Sequence, residues 1–242
     1  AQMSGFLLRQ RYKHATVFVD HATDFTHCHF QKSDSAEETV EGKEAFERMS
    51  AECGVSIKHC HADNGVFASK LWKSHCVLKQ QGLTFAGAGS HHQNGKAENK
   101  IRQLQSQGRA MLIHANRRWP KAVTANLWPC AVRMACESSN ALPSLGFRDN
   151  RTPSEAFGKT TATANPKHWH PFGCPVCVLT SALQTAGGIH HKWKDRSKVG
   201  LCLGPSPLHA RSVALVLNLE TGHVSPQFHV AFDPHFQTVK KT

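Results

Sequence analysis

A mixed α/β core followed by a small, mostly β module is the fold that this 242-residue sequence predicts. Three observations predict it. β-Branched and aromatic runs alternate with helical patterns through the first part of the chain, as strands buried in an α/β sheet do. A polar, glycine-containing loop then opens a long helical pattern, and a second helix follows it. Beyond a stretch rich in Asn, Thr, Pro and Lys only short strand-like runs remain. The expected divisions are 1–145 for the core, 146–167 for a linker and 168–242 for the β-rich module.

Taken in order, "ATVFVD" (Ala15 to Asp20) reads as a buried strand ending in an acid, with "DHATD" as the turn into an antiparallel neighbour, "FTHCHFQ". Ser35 to Cys53 reads as a helix: Ser stands at its start, Glu37 and Glu38 follow closely, Val40, Ala45, Phe46 and Met49 share a side, and Gly54 marks the stop. "VSIKHCHAD" is a second strand ending in an acid, Phe67 to Gln80 a helix and "LTFAGA" a short strand. The long helix carries Ile101, Leu104, Met111 and Leu112 inward, with Glu98 near its beginning. The helix after Pro120 is expected to be interrupted or kinked near Pro129. "TPSEAF" gives the linker one helical turn, and "CPVCVL", "VGLCLG", "SVALVLNL" and "HVSPQFHVAF" supply the strands of the tail.

Composition narrows the partners. The net charge is +12, but it is unevenly placed: 11 Lys and Arg face 11 Asp and Glu through Glu98, whereas 18 face 6 from Asn99 onward. A basic surface of that extent usually meets a polyanion, most often nucleic acid. No apolar run approaches the roughly 20 residues needed to span a bilayer, and the basic residues of the N-terminal stretch follow its short apolar patch, unlike a secretory signal. A soluble intracellular protein without membrane contact is the expectation. Nine Cys in irregular spacing argue against a disulfide framework. "HWHPFGCPVC" offers His168, His170, Cys174 and Cys177 as zinc ligand types, or simply buried strand cysteines.

Three carboxylates stand at strand or helix ends: Asp20, Asp63 and Glu98. Asp63 lies in an Asp-Asn-Gly sequence, which a simple turn of the chain would also explain. Two Asp and one Glu converging from separate elements would equally suit magnesium, which prefers hard oxygen ligands and keeps several waters. From Glu98, positions four, seven and eleven residues on return to nearly one helix face, and they hold Arg102, Gln105 and Arg109. Such a stripe could follow a DNA backbone, each guanidinium gripping phosphate, or be a solvated face. Asn94 and Lys96 at the helix start are further DNA-binding candidates, as are Lys192, Lys194 and Arg196 around Trp193. The loop from Gly87 to Gly95, with His91 and His92, could close over DNA.

"VFVDHATDF", "HADNGVFAS" and "HHQNGKAENKIR" resemble the three catalytic motifs of retroviral-type integrases, particularly those of copia-type retrotransposons, and Glu98 follows Asp63 by 35 positions. "TPSEAF", "FGCPVCVL", "KVGLCLGPS" and "TGHVSPQFHVAFD" extend the resemblance, which covers about Thr16 to Asp233. It implies a ribonuclease H-like core with a mixed sheet flanked by helices, and Asp20, Asp63 and Glu98 as catalytic metal ligands for two Mg2+ or Mn2+ ions with DNA bound. It also implies the joining of element 3′ ends to target DNA by transesterification, a homo-oligomeric working form, and a nuclear site of action. A DNA-binding protein of the same fold without catalysis is the alternative. Two departures favour it: Asn99-Lys100 follows the Glu where relatives often carry Arg, and a single Tyr stands against 18 His and nine Cys. His27 or His29, Cys60 and Cys177 occupy positions where Tyr is expected, as in a decaying element copy.

Overall fold

The computed structural model describes residues 6–7, 12–87, 94–143, 150–159, 166–184 and 192–239. His91, His92 and most of the expected closing loop lie outside them. The chain groups into two compact units whose limits differ from the divisions that composition suggests: one takes residues 11–106 and 135–164, the other 1–10, 107–134 and 165–242.

In the first of these units, strand β2 (His14–Val19) pairs antiparallel with β3 (Thr26–Gln31), Val19 opposite Thr26. Thr16, Gln31 and Thr39 form a buried polar chain that ties this pair to helix α1 (Ala36–Glu52). α1 starts where expected. Ser35 accepts from the Glu38 amide at 3.3 Å, while the Glu38 carboxylate reaches back to the Lys32 amide and the Ser33 hydroxyl. Its end is equally legible, since Gly54 takes a φ of +71° just beyond it. Strand β4 (His59–Ala62) runs parallel to β5 (Gly82–Phe85), and helix α2 (Lys70–Leu78) makes the crossover between them. The expected helix from Phe67 is broken into a 3-10 turn at Val66–Ala68 and α2, because Ser69 caps α2 by accepting from the Trp72 amide. The α/β class is as expected, with the mixed pairing present as two separate two-stranded ladders, one antiparallel and one parallel.

Helix α3 (Gly95–Arg118) and helix α4 (Trp128–Ala141) each run through both units. Pro129 does not kink α4. It sits in the first turn, where no amide is needed, and the preceding residues form only a 3-10 turn at Ala125–Leu127. Helix α5 (Pro153–Gly158) has a full capping box between Thr152 and Glu155, and its Phe157 stacks on Phe25 at 4.4 Å.

The second unit is built on a six-stranded antiparallel sheet in the order β1-β9-β8-β7-β6-β10. Its strands are β1 (Phe6–Leu7), β6 (Pro175–Leu179), β7 (Ser197–Pro205), β8 (Ala214–Asn218), β9 (His223–Gln227) and β10 (Val230–Phe232), with helix α6 (Ser181–Gln184) after β6. Alternation along the strands gives it two apolar faces. Leu201, Leu203, Leu215, Leu217 and Val224 pack against Ala115, Leu127, Ala131 and Met134. Cys174, Val176, Cys202 and Val216 form the opposite cluster with Phe236.

Candidate nucleic-acid interface

The three carboxylates are displayed in three different ways. Asp20 follows β2, half-buried, and its Oδ2 accepts from both the Thr23 amide (2.8 Å) and the Thr23 hydroxyl (2.6 Å). The Asp24 amide donates to the Asp20 carbonyl, and Asp24 takes a φ of +59°. This is a side-chain-capped turn. Asp63 is exposed after β4, where its Oδ1 accepts the Gly65 amide at 3.2 Å. Asn64 holds that turn by donating to the Ala86 carbonyl at 3.0 Å, just past β5. Glu98 lies half-buried in the first turn of α3.

Magnesium would need carboxylate oxygens facing one space with room for waters. Among the described residues no three His, Cys, Asp or Glu side chains are grouped so as to hold a metal ion. Asp20, Asp63 and Glu98 are not drawn into such a group among the described residues. Of the Asp20 carboxylate, Oδ2 serves Thr23. Thr23, three residues after Asp20, was the signal in the sequence that Asp20 caps a turn.

Four further expectations concern nucleic acid. Lys96 is engaged locally: it pairs with Asp24 at 2.5 Å and donates to the His21 carbonyl, so it fastens the start of α3 to the Asp20 turn. Asn94 is half-buried just before α3. Arg102, Gln105 and Arg109 are all exposed, and the intervening Leu104 and Gly108 are buried, so the cationic stripe faces outward as its spacing requires. Arg117 and Arg118 add exposed cations in the last turn of α3, which the stripe geometry did not include. Lys192, Lys194 and Arg196 are exposed before β7, and the Lys192 ammonium lies 5.6 Å from the ring centroid of Trp193.

The zinc alternative is not assembled, because the described residues hold no metal-binding group and each candidate is otherwise placed. His170 stacks on Phe232 at 3.5 Å, and burial, with His168 beside it, holds its imidazole below the usual range. Cys174 is fully buried, and its hydrogen bond with Cys202, together with burial, pushes its thiol far up, away from the thiolate that zinc takes. Cys177 lies on β6 opposite Ala231 and Val199.

No protein-family model matches the chain. The chain is 27% identical over 235 residues to the retrovirus-related Pol polyprotein from transposon RE1 of Arabidopsis thaliana, and 26% identical over 235 residues to that from transposon RE2 of the same plant. Each match covers 95% of this chain, which spans only 14% and 15% of those polyproteins. Among solved structures, a chain of the simian T-cell lymphotropic virus intasome in complex with PP2A regulatory subunit B56 gamma is 17% identical, with a TM-score of 0.48, covering 94% of this chain and 76% of its own. The HTLV-2 integrase catalytic core domain in complex with magnesium is 17% identical with a TM-score of 0.44, covering 62% of this chain and 91% of its own. Over nearly its whole length the chain is thus similar to a segment of two retrovirus-related Pol polyproteins from plant transposons.

Proposed function

We propose that this chain, a relative of the copia-type Pol polyproteins, is an integrase-type segment whose first task is to hold DNA. The observation that carries this reading is the outward stripe of Arg102, Gln105 and Arg109 along α3. Phosphates follow one another along a duplex strand, and successive turns of one helix face offer donors at matching intervals; guanidinium groups bind them bidentately and release counterions. Such contacts fix position without reading sequence. The partners are then element-end and target DNA, the working form is a homo-oligomer, and the place of action is the nucleus. Replacing Arg102 and Arg109 by Ala removes two phosphate contacts. The slope of log affinity against log salt for a duplex should become shallower by about 2. An exposed lysine elsewhere, changed by Lys58→Ala, should leave the slope alone. An unchanged slope in the double variant would end the reading.

A second reading is the joining of element 3′ ends to target DNA by one-step transesterification. It is favoured by the placing of Asp63 on an exposed turn held by Asn64, in the motif context it shares with Glu98. Asp20, Asp63 and Glu98 would together hold the divalent ions, which would supply charge stabilisation to the reacting phosphate. A strand-transfer assay with Mn2+ separates the two readings. Glu98→Gln should abolish product, and equal product from this variant and the native chain would sink the joining claim.

A further inference from the structure

The face of the six-stranded sheet that carries Val176 and Val216 is only partly covered. At one end Phe236 and Phe232 close it. At the other end it opens into a groove of about 310 Å3 whose walls include Val178, Thr180, Lys198, Gly200, Asn218 and Gln227. A volume near the lower end of the roughly 300–1,000 Å3 range of small-ligand sites accepts one compact ring system and little more. Its floor is flat at Gly200, where a Cβ would stand 2.5 Å from Val216 Cγ1 and 2.9 Å from the Leu217 carbonyl oxygen.

Four features say what could lie there. Thr180 Oγ1 is shielded from solvent and has no hydrogen-bond partner among the described residues, a condition a folded chain seldom keeps without use. The groove borders the basic run: the Thr180 amide donates to the Arg196 carbonyl at 3.0 Å, so Lys192, Lys194 and Arg196 lie just upstream of the strand that lines it. Lys198 on its wall is held by Glu220 at 2.8 Å, with the two side chains 63% and 70% exposed, a solvated pair that a phosphate could replace. In the same run, Trp193 is 91% exposed, an unusual place for the largest apolar side chain.

We infer that this groove and the Trp193 turn form a second nucleic-acid site that takes an unpaired strand, one base resting on the sheet floor and another stacked on Trp193. The inference rests on the reading of the chain as a DNA-holding segment. A duplex is excluded as the occupant because its base faces are already covered by neighbouring pairs, leaving nothing to lie on an indole or a flat floor. An unpaired base presents a free face to the ring and free edge groups to the Thr180 hydroxyl and to the Asn218 and Gln227 amides. Asn218 Oδ1 already accepts from the Glu220 and Thr221 amides, so its NH2 is the end that donates. Lysine and arginine around the turn then supply contacts to the backbone phosphates.

The test compares a fluorescein-labelled oligothymidylate of about 15 nucleotides with a duplex of the same length, by anisotropy at one salt concentration. Trp193→Ala should weaken oligothymidylate binding about tenfold or more, Trp193→Phe much less, and duplex binding should change less than about twofold in both. Thr180→Val adds the readout that a structural role would not give. Its melting temperature should stay level or rise, because a buried orphan hydroxyl is removed, while single-strand affinity falls severalfold. Unchanged oligothymidylate binding in both Trp193→Ala and Thr180→Val would overturn the inference, as would equal losses for both probes. If the native chain binds duplex through α3 and ignores oligothymidylate, this site alone falls; if it binds neither, the proposed function falls with it.

Discussion

His27 stands on β3 with its ring 5.6 Å from Phe46 and 6.3 Å from Phe18, and its Nε2 is buried with no hydrogen-bond partner among the described residues. Burial first, and the neighbouring His29 second, lower its pKa from 6.5 to about 4. The unfolded chain therefore binds a proton at a higher pH than the folded one. The contribution is fully present above the unfolded value and is lost as pH falls from about 6.5 toward 4, where it levels off. A shift of that size corresponds to about 3 kcal/mol. His27→Phe should raise the melting temperature and flatten its pH dependence through that window, as followed by circular dichroism; a variant with the native pH profile would show that another group governs acid unfolding. His27 or His29 is also a position where the sequence reading expects Tyr, and the His27 ring packs between aromatic neighbours with one nitrogen unused. Asp20 was harder to read, because a turn cap and a metal ligand need the same carboxylate. The partner that marks the cap is Thr23, three residues on.

α1 shows where periodicity stops being informative. Its apolar positions Val40 and Phe46 were legible as an inward side, but the side also buries Lys43, which is 1% exposed. The Lys43 ammonium donates to Glu47 one turn on, to Gln81 Oε1 at 2.5 Å and to His75 Nδ1 at 3.0 Å, and lies 5.7 Å from the Trp72 ring centroid. Because His75 Nδ1 accepts from an ammonium, its Nε2 carries the hydrogen that faces Glu44 at 3.2 Å. Burial pushes the Glu47 carboxyl up, yet the bonds from Lys43 and Gln81 outweigh it and leave the group below its usual range. A buried cation is invisible to a hydrophobic pattern because its partners come from three separate segments. Removing one member strands the others: Lys43→Ala should destabilise the fold by about 3–5 kcal/mol in urea unfolding. Lys43→Met combined with Glu47→Leu removes both charges and should recover more than half of that loss. If the single change proves harmless, the cluster is solvated and not a structural pair.

Across the molecule, the basic excess beyond Asn99 and the run of short strands were legible, but the division of the chain was not. The helical stretch 107–134 has an ordinary amphipathic pattern, and nothing in such a pattern names the surface it will cover. That surface is the sheet: Ala115, Val123, Leu127, Ala131 and Met134 are buried together with Phe172, Leu201, Leu203, Leu215 and Leu217. β1 was missed for a related reason, since a two-residue strand pairing with β9 has no periodicity to detect. A fragment of residues 1–145, cut where composition alone suggests, would keep the helices and lose the strands they pack on. Helices without their apolar partner are marginal in water. The fragment should bind the dye ANS strongly, show less helix per residue than the full chain by far-UV circular dichroism, and unfold in urea without a single sharp transition. The full chain should bind little dye under the same conditions. A fragment that unfolds cooperatively with native-like helix content would mean that α3 and α4 are held by residues 11–106 alone, and that the sheet adds nothing to their stability.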